Sequence, residues 1–396
     1  MRLNRLPFII WASTLVTLPL APRAAPQNRE QKLPAARIAG ISVAGLTPRQ
    51  ARLKLEQALQ PKLAVVIRLT DGKKSVARKR NDLGFVLDVD GMVGEAKSGH
   101  KAVGLRLKVN RNRFLVVLRR LEWGFTTPGK NAVPIYQHGK VRIAPGRDER
   151  TVDVGLSAQA LAGLAEKKPQ VSVLQLVMVR RAPPISAAAL KGIDARLSEF
   201  VTQFNPGSTK RVHNIRVAVG RINSSLVRPG QVFSFNQTVK ERTHENGYLT
   251  ATVLEKNKPA DGIGGGVSQV SGTLFNAALL AGLKIVEYMP HSRPVAYLPV
   301  GRDATVVWGV RDLKIKNTTQ HPIYVAYSVE GNRCRAAIFG SHQAVQTVRL
   351  DVQKKKPGPT HVITDLYRIV TKGGKQTAKE KIGHADYDWK PEPQQD

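Results

Sequence analysis

Ser268 stands two residues after a run of glycines in DGIGGGVSQVSGTLFNAALLAGL, Asp261 to Leu283, and ahead of an apolar stretch of helical character. A helix N-terminus presents unpaired amides and the positive end of the helix dipole. It therefore favours an anion or a developing oxyanion. Gly264, Gly265 and Gly266 carry no side chain to obstruct an extended substrate. Downstream, YMPHSRPVAYLPVGRDATVVWG gathers His291, Ser292, Arg293, Tyr297 and Asp303. A hydroxyl nucleophile, a histidine base and a carboxylate that orients the base form the working set of acyl transfer. Ser268, His291 and Asp303 are the candidates for those three roles. The alternative is structural: Ser268 caps its helix through its side chain, and His291 is a satisfied histidine of the fold.

Other chemistries are excluded by spacing. GIGGGV is not a dinucleotide fingerprint, because Val267 stands where the third glycine is required, and no Gly-Lys-Ser/Thr follows to make a phosphate loop. The eight other histidines show no metal-ligand spacing, so neither metal nor cofactor is expected. Cys334 is the single cysteine, which rules out an internal disulfide and a thiolate cluster, and its setting in VEGNRCRAAIFGS reads as a small buried hydrophobe.

The chain has 396 residues with 42% hydrophobic content, enough for two or three compact domains. Its 62 Lys and Arg against 29 Asp and Glu give a formal charge of +33. Such a field attracts polyanions. No zinc-finger spacing, aromatic–basic strand signature or helix-turn-helix accompanies it, so no specific nucleic-acid partner is expected. MRLNR followed by PFIIWASTLVTLPLAP and RAA has the layout of a secretory leader over residues 1–25. The apolar core is short for a membrane span. An exported protein is expected, with membrane attachment only through an uncleaved leader.

The elements that must position these residues fall into an α+β pattern. GLTPRQARLKLEQALQPKLAVVIRL from Gly45 and GLSAQALAGLAEKKPQVSVLQLVM from Gly155 repeat one plan. In each, a hydroxyl residue (Thr47 or Ser157) caps a helix and a β-branched strand follows, over Leu63–Leu69 or Val171–Val179. Leu53, Leu55, Ala58 and Leu59 give the first helix its apolar face. A domain over residues 36–183 is expected, ending at Pro183–Pro184. A linking helix from Ser186 to about Phe204 follows, with Ile193, Leu197, Phe200, Val201 and Phe204 on one face. NIRVAVGRINSSLVRPGQVFSFNQTV reads as short apolar runs and turns. The Gln269–Ala281 helix then packs Val270, Leu274, Ala278 and Leu279 against a sheet. KIVEYM, RPVAYLPV, ATVVWGV, LKIKNTT, PIYVAYSV and CRAAIFG read as strands, giving a second domain over 185–345. A basic hairpin or tail over 346–396 turns at Gly373–Gly374.

The segment from about Phe204 to Val325 closely resembles the VanW family of bacterial cell-envelope proteins. The matching phrases are NIRVAVGRINSSLVRPGQVFSFN, GYLTATVL, GIGGGVSQVSGTLFNAALLAGL, PHSRPVAYLPVGRDATVVWGVRDLKIKNTT and HPIYVAYSV. The region before it, with ISVAGLTPRQARLKL and DLGFVLD, looks more loosely like the peptidoglycan-binding domains that often precede VanW domains. Some clostridial members are understood as cysteine L,D-transpeptidases that cross-link peptidoglycan stems, with the nucleophile in GGGxCQ. Here that phrase is GGGVSQ, so Ser268 replaces the thiol and Gln269 keeps the glutamine. A serine hydroxyl ionises far less readily than a cysteine thiol. The resemblance therefore implies an envelope protein that binds peptidoglycan or its anionic wall polymers without efficient catalysis. The alternative it leaves is an L,D-transpeptidase-like transferase using Ser268 with His291. Gly264, Gly265, Gly266, Gln269, Ser292, Arg293 and Tyr297 are the implied substrate contacts.

Overall fold

A computed structural model describes residues 31–255, 258–355, 358 and 360–389. The expected leader lies outside the described residues. The fold is mixed α+β and divides into two compact units. Among the described residues, one takes in the chain up to Thr126 together with Thr151–Val179, and the other Thr127–Arg150 together with those from Arg180 onward. The chain thus passes between the units at 126–127, 150–151 and 179–180, and the first unit is not one run to Pro183.

In the first unit, Thr47 and Gln50 form a reciprocal cap. The Thr47 hydroxyl accepts from the Gln50 amide at 3.3 Å, and the Gln50 side chain accepts from the Thr47 amide at 3.0 Å. Pro48 opens the helix Pro48–Leu63, which buries Ala51, Leu55 and Leu59 at a spacing of four. Leu53 and Ala58, expected on that face, are exposed. In the second copy the cap is Asp153, whose carboxylate accepts from the Leu156 amide at 2.9 Å. Ser157 lies inside that helix, fully buried, and accepts from the Val177 amide at 2.9 Å. The strands of the two copies, Val66–Thr70 and Val173–Gln175, run parallel and side by side, with Leu69 opposite Leu174. Their helices serve different cores: the first packs with Ile38, Met92 and Val103, the second with Ile67, Phe114 and Leu174.

The second unit is built on an antiparallel four-stranded sheet in the order Ala195–Gln203, Arg333–Gly340, Ile323–Glu330, Ser225–Val227. The central helix Val267–Leu280 lies against it and buries Val270, Leu274, Ala278 and Leu279 completely. The neighbouring helix Thr209–Ile222 buries Val212, Ile215, Ala218, Val219 and Ile222. A helix here overrides the turn-like reading of this β-branched stretch, because the 3.6-residue spacing meets a ready apolar surface.

The expected helix from Ser186 to Phe204 is instead a short 3-10 turn, Ala188–Leu190, and the strand Ala195–Gln203. A bulge between Arg196 and Ser198 breaks the strand's alternation. Leu197, Phe200 and Phe204 then fall at intervals of three and four, which imitates a helical face. Of the expected strands after Lys284, RPVAYLPV is irregular and ATVVWGV holds only the bridge between Val307 and Arg311. These two irregular segments form a wall of the cleft described below. Residues Thr347–Lys355, His361–Lys372 and Lys375–Asp388 form a three-stranded meander, its second turn at Gly373–Gly374. Leu366 of that meander joins the main core.

Candidate functional site

The glycine loop begins the central helix, but Ser268 does not cap it. The cap is Gly266, in the left-handed region at φ 102°, where an L side chain would be strained. Ser268 is the second helical residue, and its hydroxyl meets the Thr305 hydroxyl at 3.5 Å. Ser271, one turn on, donates to the Ala304 carbonyl at 2.6 Å and fastens the first turn to that segment.

The glycines make room for the protein itself. A Cβ on Gly265 would lie 2.4 Å from the Thr252 carbonyl oxygen of the adjoining hairpin. One on Gly264 would lie 2.6 Å from Cγ of Arg242, and one on Gly266 2.9 Å from Cγ of Arg211. The bare loop thereby seats two arginine stems against the start of the central helix. Asn214, wholly buried, completes the arrangement: its amide donates to the Leu249 carbonyl at 2.9 Å and the Gly265 carbonyl at 3.1 Å, while its oxygen accepts from the Leu249 amide at 2.8 Å.

Around this loop opens a cleft of about 650 Å³, lined by Ser268, His291, Thr305 and the three glycines. Arg211, Arg242 and Arg293 also line it, against one carboxylate, Glu241. Burial pushes Arg211 and Arg242 below the ordinary arginine value. Arginine's high basicity nevertheless keeps both charged at neutral pH. The Arg211 guanidinium lies 5.7 Å from the Tyr297 ring centroid. Burial pushes the Tyr297 phenol up, Arg211 opposing. Val307 and Trp308 close one side of the cleft with partly exposed apolar surface.

His291 and Asp303 form a buried pair. The ring Nδ1 lies 2.6 Å from Asp303 Oδ2, and the same oxygen accepts from the His291 amide at 2.7 Å. With Nδ1–H turned to the carboxylate, Nε2 is the nitrogen left for the cleft. Burial alone would raise Asp303, but the His291 ring, the His291 amide and the Tyr387 hydroxyl outweigh it and hold the carboxyl below its usual range. The Tyr387 hydroxyl donates to Asp303 Oδ1.

The structure therefore places Ser268, His291, Arg293 and Tyr297 on one cleft and joins Asp303 to His291 behind it. It does not join Ser268 to His291: the side-chain partner of Ser268 among the described residues is Thr305. Gln269 lines the cleft, but its amide is committed within the protein. It accepts from Arg211 at 2.9 Å and donates to Thr202 at 3.1 Å and the Gln203 carbonyl at 2.8 Å. Ser292 is exposed next to His291 and is not among the lining residues. Among the described residues no cluster of His, Cys, Asp and Glu could hold a metal ion. Sequence reasoning missed Arg211, Arg242, Thr305 and Tyr387. Thr305 lies inside the phrase GRDATVVWG, where spacing assigns it no role; Arg211, Arg242 and Tyr387 sit in no recognisable motif, and only the fold brings them to the site. Cys334 is buried, and burial pushes its thiol up to about 12.

Residues 210–339 match the family described as VanW like protein. The chain is 39% identical over 160 residues to the uncharacterized protein YoaR of Bacillus subtilis (strain 168), covering 40% of this chain and 53% of that one. It is 27% identical over 138 residues to the vancomycin B-type resistance protein VanW of Enterococcus faecalis (strain ATCC 700802 / V583), covering 34% of this chain and 50% of that one. The chain thus spans about half the length of the curated relatives it matches. No solved structure matches it. With the glycine loop, the central helix and the His291–Asp303 pair all inside the matched residues, the chain carries a VanW-family domain.

Proposed function

We propose that this is an exported cell-envelope protein whose cleft binds peptidoglycan through the anionic stem peptides. The observation that carries the reading is the charge of the cleft, where three arginines and a histidine face a single carboxylate beside the start of the central helix. Two of those guanidiniums are desolvated, so a carboxylate placed between them is held more strongly than one at an open surface. The leader-like first 25 residues, the charge of +33 and the likeness to a protein named for vancomycin resistance support an envelope setting. The first unit, with its paired helix–strand repeats, supplies a second contact to the wall. Binding needs no activated nucleophile, which accords with the 3.5 Å contact of Ser268 to Thr305 in place of a bond to His291.

The test is to fractionate cells and to pull the mature chain down with purified walls at rising salt. Envelope recovery and wall binding that survives moderate salt are expected. Cytosolic recovery refutes the envelope location, and binding that disappears as the ionic atmosphere tightens refutes a dedicated pocket.

A second reading, acyl transfer, is favoured by one specific observation: the buried carboxylate that orients His291. In it Ser268 Oγ attacks the peptide carbonyl, His291 Nε2 takes the hydroxyl proton, and the leaving amine receives that proton as the acyl–serine ester forms. Incubating the wild type and Ser268→Cys with muropeptides separates the readings by mass spectrometry. Under the binding reading the wild type gives no adduct, and the thiol variant gives one that His291→Ala abolishes. A wild-type adduct at Ser268 overturns the binding-only reading. No adduct in Ser268→Cys removes transfer chemistry from this chain altogether.

A further inference from the structure

The acid of the His291–Asp303 pair has a third partner far along the chain. Tyr387 lies on the last strand of the C-terminal meander, beyond the residues that match the family, and is wholly buried. Its hydroxyl donates to Asp303 Oδ1 and accepts from the Gly301 amide at 2.9 Å. The accepted bond polarises the phenol and makes it a better donor. Asp303 is thus gripped from two sides, with Oδ2 on the ring and backbone of His291 and Oδ1 on Tyr387. The turn that carries it is pressed against the same meander. A Cβ on Gly301 would lie 2.8 Å from the Thr364 hydroxyl and 3.0 Å from Cγ1 of Val352.

We infer that Tyr387 is a positioning residue of this site: its hydroxyl fixes the plane of the Asp303 carboxylate and thereby the tautomer and orientation of His291. The inference rests on the reading of His291 as a base facing the cleft. It makes the C-terminal meander part of the site and not a basic appendage. A carboxylate left with two donors from one residue can turn about its Cβ–Cγ bond; a third donor on the opposite oxygen removes that freedom. The other titratable groups that feel Asp303 are Tyr288 and Tyr297, both pushed up first by burial. Among the described residues neither hydrogen-bonds the carboxylate, so the direct control from outside the pair lies with Tyr387.

The test reads His291 itself and needs no wall ligand, so failure of wall binding leaves it intact. Nitrogen-edited NMR follows the ring through a pH titration in the full chain, with His291→Asn supplying the assignment. Tyr387→Phe removes a donor, leaves the carboxylate more basic and raises the His291 midpoint by about half a pH unit, roughly threefold in the protonation equilibrium. Incorporating 3-fluorotyrosine at position 387 strengthens the donor and moves the midpoint down. Thr364→Val, which alters the meander beside Gly301 without touching Asp303, leaves the midpoint in place. The inference is overturned if both changes at 387 leave the midpoint unmoved or move it the same way, or if Thr364→Val shifts it as far as Tyr387→Phe. Should Tyr387→Phe not fold, the fluorinated protein decides alone, and an unmoved midpoint there is a refutation.

Discussion

Gly265→Ala adds one methyl group where the structure has no room. The new Cβ would lie 2.4 Å from the Thr252 oxygen and 2.9 Å from two atoms of the Ala251 carbonyl, all of them backbone. Backbone cannot swing aside as a side-chain end can, so the paired strands Thr250–Glu255 and Lys258–Ile263 or the loop must shift. Overpacking of this kind costs about 1–3 kcal/mol. The substitution recovers about 0.4–1 kcal/mol by stiffening the unfolded chain, since Gly265 is not in the left-handed region. A net loss of about 1–2 kcal/mol is expected, or roughly 2–8 °C in the melting temperature of a unit this size. Gly220→Ala is the internal control. That glycine sits in the helix Thr209–Ile222 with nothing within 4 Å of an added Cβ. Alanine there should stabilise by about 0.5–1 kcal/mol. Scanning calorimetry of the two full-length variants should move one transition in opposite directions. A Gly265→Ala protein within about 0.5 kcal/mol of the wild type would show that the loop's closeness to the hairpin is not what its glycine serves.

Further outcomes follow from single contacts. Asn214→Ala strands the Leu249 amide and the Gly265 carbonyl, while the Leu249 carbonyl keeps the Gly264 amide at 3.1 Å, and should destabilise by about 2–4 kcal/mol in urea unfolding. Cys334 should resist alkylation at pH 8 in the folded chain and react on denaturation, because its thiol is buried and pushed up to about 12. In Ser268→Cys, native alkylation followed by peptide mapping should therefore mark position 268 alone. Asp365 is held well below the usual carboxylate range by Lys355, Lys381 and His384. A depressed folded value means that this contribution is complete above the unfolded aspartate value of about 4 and is lost as pH falls toward the folded one. Melting temperature against pH should consequently fall more steeply in acid for the wild type than for Asp365→Asn.

Much of the α+β plan is legible in the sequence because local signals agree there. Thr47, Pro48 and Gln50 announce a helix start, and the apolar run behind Gly266 can only be a buried helix. The neighbourhood of Ser268, His291 and Asp303 is legible as motifs close along the chain. Three kinds of feature are not. A bulge disguises the strand Ala195–Gln203 as a helix, because one inserted residue puts an odd step into a period of two and sets Leu197 and Phe200 three apart. Asp153 takes the capping role that Ser157 is expected to hold, since an aspartate four residues upstream competes for the same amides. Two of the three arginines lining the cleft are Arg211 and Arg242, whose positions depend on how Gly266 and Gly264 pack and not on any spacing between the residues.

The hydrogen bond from Tyr387 to Asp303 joins residues 84 positions apart, and it therefore imposes an order in time. A ribosome adds about 5–20 residues per second, so the phenol is made roughly 4–17 s after the carboxylate it steadies. By the end of that interval the central helix, all four strands of its sheet and His291 have been made, while Asp303 still has only the donors of His291. A nascent chain, or one clipped within its final strand, would keep the main core and lose the second grip on the carboxylate. Amount of folded domain and quality of the site would then part company: proteolysis confined to the last strand would leave a protein that still looks intact by bulk spectroscopy but whose histidine is no longer set.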